Sequence, residues 1–77
     1  MKLVSSDSRG LAIHVTGAEL DSLLYLLGEG CEHLYAISGD ELVDSDTRRN
    51  ARTMMLRGER MSASLAEIRD DARASLR

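Results

Sequence analysis

The sequence predicts an α+β fold: a small antiparallel sheet packed against about three α-helices, in the order ββα(β)αα, as one domain spanning residues 1–77. Three observations carry this. Leu11, Ile13 and Val15 alternate with Ala12, His14 and Thr16, the period of a half-buried strand. Thr16–Gly28 has a legible start, face and stop. Two later stretches repeat a helix-start spacing, Ser38 with Glu41 and Ser64 with Glu67.

In chain order, Leu3 and Val4 begin a first strand, and SSDSRG (5–10) has turn chemistry. With the strand over 11–16 this makes a β-hairpin, which alone is only marginally stable in water and is therefore expected to lie on the leucine face of the first helix.

The helix expected over Thr16–Gly28 is the centre of the chain. Thr16 is a good N-cap, and Glu19 completes a capping box that satisfies two orphan N–H groups. Leu20, Leu23, Leu24 and Leu27 fall on one side, and Gly28 stands where a left-handed C-cap would end the helix. Burying four leucines is worth roughly 6–12 kcal/mol before conformational entropy is subtracted.

HLYAIS (33–38) reads either as a third strand or as a short helix, and the strand is preferred because an N-cap at Ser38 would be extended. A second helix is expected from about Gly39 to Arg57. Acids at its start and arginines towards its end suit the macrodipole, with Gly58 as its stop. Whether it runs unbroken across Ser45 is open. The last helix is expected to open at Ser64, with Met61, Leu65, Ile68, Ala72 and Leu76 as a narrow stripe.

Composition excludes several functions. With no Phe, no Trp and two Tyr, the core must be aliphatic, and a 77-residue chain so short of core is expected to self-associate, by default as a homodimer. Residues 1–44 carry eight acids against Lys2 and Arg9, a balance of −6. Residues 45–77 carry eight arginines against five acids, a balance of +3. The net charge of −3 speaks against a whole-molecule electrostatic nucleic-acid binder. A single cysteine permits no intrachain disulfide and suits a reducing compartment, so the expected location is cytoplasmic. There is no apolar run for a membrane span and no signal-peptide pattern.

Motifs for chemistry are missing. His14, Cys31 and His33 are the only soft metal ligands and have no zinc-site spacing. GEGCEH matches neither phosphate-loop nor dinucleotide-loop spacing, and no catalytic set is suggested. No metal, cofactor or enzymatic activity is expected. Joining the last two helices through RGERMS would make a helix-turn-helix. Its outer face would set Glu67, Asp70 and Asp71 against Arg69, Arg73 and Arg77, a poor surface for phosphate.

The informative surface is on the second helix. At 100° per residue, Val43, Thr47, Ala51, Met54 and Met55 share the expected core side. Leu42, Arg49 and Leu56 lie opposite, flanked by Arg48 and Arg52. Arginine beside apolar anchors is typical of protein interfaces. Tyr25 and Leu26, outside the leucine stripe of the first helix, are candidates for self-association. The expected function is therefore stoichiometric binding of another protein, as a small inhibitor, adaptor or regulatory subunit. In size and composition the chain is similar to many phage and mobile-element inhibitors. Two alternatives stay open: a small dimeric DNA-binding regulator, and a small-molecule-binding regulatory domain.

Overall fold

In the computed structural model, which describes residues 1–76, two long helices lie antiparallel and a β-hairpin caps one end. Strands β1 (Lys2–Asp7) and β2 (Gly10–His14) are followed by α1 (Gly17–Ser38) and α2 (Ser45–Ser75). The molecule is long and thin, 49 × 31 × 16 Å.

The hairpin follows its residue chemistry. Arg9 N–H donates to Asp7 Oδ1 (2.8 Å) in the turn. Gly10, at φ +147°, holds a conformation that side chains rarely adopt. Leu3 pairs with Ile13 and Ser5 with Ala12, which leaves Val4 as an extra residue in a bulge. Every residue of both strands is exposed, so the hairpin is an appendage of the helices and not a layer beneath them.

Helix α1 starts as expected. Thr16 is extended, its Oγ1 accepts from Glu19 N–H (3.1 Å), and Glu19 Oε1 accepts from Thr16 N–H (3.1 Å). It does not stop at Gly28; it continues to Ser38 and is 22 residues long. The residues turned to α2 explain why. Leu20, Leu24, Leu27, Cys31, Leu34 and Ser38 are spaced four and three apart, a heptad seam that runs straight through Gly28 and Gly30. The third strand preferred for 33–38 is therefore absent. Its residues begin about 24 Å along the helix from the hairpin, at 1.5 Å per residue, out of reach of either strand.

The second and third helices expected from sequence are one, α2, 31 residues long. Its N-cap is Asp44, not Ser38. Asp44 Oδ1 accepts from Thr47 N–H (2.7 Å) and Oδ2 from Thr47 Oγ1 (2.8 Å). Ser38 Oγ instead donates to Tyr35 O (2.7 Å) inside α1. Gly58 and Ser64 lie in the middle of α2, where neither a stop nor a cap is needed because the ladder satisfies their backbone groups. The continuous α2 removes the helix-turn-helix through RGERMS.

The seam of α2 is Arg48, Ala51, Met55, Gly58, Ser62, Leu65 and Arg69, again four and three apart, with small residues at Ala51, Gly58 and Ser62. The helices approach closely at Gly58, which faces Cys31 of α1. Of the core side expected for the second helix, Ala51 is buried and Met55 half-buried. Thr47 and Met54 are exposed, and Val43 lies in the loop before α2. Of the stripe expected for the last helix, Leu65 is half-buried, while Met61, Ile68, Ala72 and Leu76 are exposed. Arg69 and Arg73 both reach Asp21 Oδ1 (3.8 and 3.7 Å), tying the end of α2 to the start of α1. Arg77, counted above on the outer face of a last helix, lies outside the described residues. Leu20 and Ala51 are the only buried hydrophobic residues among those described.

Candidate functional site

Two surfaces stand out, at different places on the helix pair. The first is the loop end, where α1 finishes and α2 begins. Gly39 closes α1, its N–H donating to Tyr35 O (3.3 Å), and Asp40 N–H donates to Ile37 O (3.2 Å). Leu42 N–H is held by Asp40 Oδ1 (2.9 Å). Three acids around this loop are engaged locally. Asp40 and Asp44 hold backbone, and Asp46 Oδ1 lies 3.8 Å from Arg49 Nη1. The two Thr47 hydrogen bonds, side chain first and then backbone, hold the Asp44 carboxyl below its ordinary value.

Arg48, Arg49 and Arg52, with Ser38 and Ser45, line an open cleft of about 250 Å³ here. The three arginines are not equivalent. Arg48 is half-buried against α1, and its Nε is buried without a hydrogen-bond partner. Its place is the helix seam, not the outer face that the 100° projection gave it. Arg49 and Arg52 are exposed, and no carboxylate among the described residues lies in ion-pair range of Arg52. Leu56 projects outward one turn beyond Arg52. Leu42, 96% exposed, sits on the loop and not on a helix face. The cluster therefore curves from the loop tip along the outer side of α2.

The second surface was not legible from the residues singled out. A groove of about 250 Å³ runs along one side of the helix pair, with Gly30 and Gly58 in its floor. Leu26 and Leu34 form one wall, and Met54 and Met61 the other. Leu26 is thus part of a continuous apolar strip. Tyr25, 100° further round the helix, faces away from it into solvent. Towards the hairpin, Ile13, Leu20, Leu65, Ile68 and Leu76 line a further apolar cleft of about 430 Å³. The signal that could have found this strip is the heptad spacing itself, which places Leu26, Met54, Met61 and Ile68 beside the seam and not in it.

His14, Cys31 and His33 are not brought together. His14 ends β2 and His33 is exposed, while Cys31 points at α2 with Sγ 3.7 Å from Met55 O. Among the described residues no group of three His, Cys, Asp or Glu side chains is placed to hold a metal ion, and no helix is long and apolar enough to cross a membrane. Comparison with protein-family models, with curated proteins and with solved structures finds no match for the chain.

Proposed function

We propose that this chain is a non-enzymatic protein-binding module, acting stoichiometrically as an inhibitor, adaptor or regulatory subunit, with its contact at the loop end of the helix pair. The supporting observation is the cleft between Arg48, Arg49 and Arg52, flanked by the uncovered Leu42 and Leu56. No carboxylate among the described residues lies in ion-pair range of Arg52, so an acidic side chain from outside can pair with it. Leucines beside it supply the apolar area that gives such a contact affinity. The partner surface that fits is acidic with an apolar centre.

Arg49→Glu combined with Leu56→Asp tests this reading. Both side chains are exposed, so stability should change by less than about 0.5 kcal/mol per site. At an interface the new Asp would be desolvated without a partner and the new Glu would meet like charge. Proteins retained by the wild type from a host extract should be lost with the folded variant. Equal retention by both would place the contact elsewhere.

A further inference from the structure

The chain leaves far more surface in water than its mass requires. A compact monomer of 8.5 kDa exposes about 4650 Å², whereas this chain exposes 6344 Å². The excess is about 1700 Å² per chain, or about 3400 Å² for two, which falls within the 2000–5000 Å² typical of obligate homodimers. The exposed hairpin accounts for part of it, and the groove for another part. Leu26, Met54, Met61 and Ile68, all on the strip beside the seam, are 49–63% exposed. We propose that a second copy of this chain covers that strip, so that two helix pairs form an antiparallel four-helix bundle with two-fold symmetry.

Shape and charge both favour a second copy as the occupant. The strip alternates ridges (Leu26 and Leu34; Met54 and Met61) with a floor lowered by Gly30 and Gly58. A two-fold copy presents the same two apolar walls, so the α1 wall of each copy packs on the α2 wall of the other, as an isologous interface requires. The rims are charged oppositely. On the α1 side the strip is edged by Glu29, and on the α2 side by Arg57 and Arg60. None of these three is in an ion pair with another described residue. The Cys31–Gly58 contact sets Glu29 within about one turn of the level of Arg57 and Arg60. A two-fold axis parallel to the helices preserves that level and lays α1 against α2 of the other copy. Glu29 then stands beside Arg57 and Arg60 of the partner subunit, and every neighbouring helix is antiparallel, as in up-down bundles. The arginine cleft at the loop end stays outside this interface, so the dimer is independent of the protein contact proposed above.

Light scattering of the full chain across a hundredfold concentration range tests the idea, with thermal unfolding followed by circular dichroism in the same samples. The expected result is a mass of about 17 kDa, twice the 8.5 kDa chain, and a midpoint that rises with protein concentration. Leu26→Asp with Met61→Asp should weaken association about a hundredfold or more, because two carboxylates would be buried unpaired in each half of the interface. If this variant also loses helix, the concentration-dependent midpoint of the wild type still identifies folding coupled to dimerisation. Tyr25→Asp, on the far side of α1, should remain dimeric. Three results would each overturn the proposal: a wild-type mass of 8.5 kDa with a midpoint independent of concentration, a dimer that survives Leu26→Asp/Met61→Asp, or a dimer lost in Tyr25→Asp.

Discussion

A Cβ added at Gly58 would stand 2.8 Å from the Sγ of Cys31, closer than two such atoms can approach without movement. This pair marks a close approach of the two helices, and it accounts for a glycine in the middle of a 31-residue helix. Helix propensity favours Ala over Gly by about 1 kcal/mol, whereas overpacking costs about 1–3 kcal/mol, so the contact decides the sign. Gly58→Ala should destabilise the protein by about 1 kcal/mol. Gly58→Ala together with Cys31→Ala should recover most of that loss, since the thiol is what the new methyl meets. Denaturant unfolding of both single variants and the double variant, at one protein concentration, measures the coupling. Strict additivity would show that the helices are not in register at this pair.

Gly28 gives the opposite expectation. A Cβ there meets nothing within 4 Å, and its backbone is helical. Gly28→Ala should therefore stabilise by about 0.5–1 kcal/mol. If α1 ended at Gly28 in a left-handed cap, the same change would destabilise. A thermal melt separates the two.

The cap of α2 can be located by paired substitutions. Asp44→Ala should cost about 0.5–2 kcal/mol, because Thr47 loses both of its hydrogen bonds to the carboxylate. Ser64→Ala should be neutral or slightly stabilising, since Ser64 sits on a continuous helix and Ala is the better helix former. A large loss at Ser64 would mean that α2 breaks there.

Acid should weaken the protein at the two N-caps. The Glu19 carboxyl is held down to about 2 from an ordinary 4.5. The largest cause is its bond to the terminal ammonium of Met1, followed by the Thr16 backbone and hydroxyl. Asp44 is likewise held below its ordinary value by Thr47. A carboxylate whose folded pKa is depressed contributes stability above its unfolded pKa and loses it as pH falls towards the folded value. For Glu19 that window runs from about pH 4.5 down to about 2. The wild-type melting temperature should fall through this window, and Glu19→Gln should flatten part of the fall. An unchanged slope in Glu19→Gln would show that the capping box carries no charge-dependent stability.

Where sequence reading succeeded, the interactions are local. The Thr16–Glu19 box spans three residues and needs nothing from the rest of the chain, and the turn before Gly10 is equally self-contained. It failed where the same local signals were overridden from a distance. Ser38/Glu41 and Ser64/Glu67 have the spacing of caps, yet each serine lies within a helix, because an unbroken seam against the other helix outweighs a cap worth about 1 kcal/mol. Gly28, Gly30 and Gly58 look like punctuation for the same reason. The candidate site was legible in part. Arg49, Arg52 and Leu56 stand on the outer side of α2 as the 100° projection has them, whereas Arg48 is turned into the seam and Leu42 lies on the loop.

The sequence by itself determined the hairpin, the start of α1, an aliphatic core too small for the chain, and the arginine-rich character of the later half. Each depends on residues within a few positions of one another, or on composition. Only the tertiary structure decided that there are two helices and not three, that Gly58 is a point of close approach, and that Leu26, Met54, Met61 and Ile68 lie along one uncovered strip. The physical reason is that a helix in a protein is stabilised mainly by the face it buries. That face exists only once α1 and α2 lie side by side.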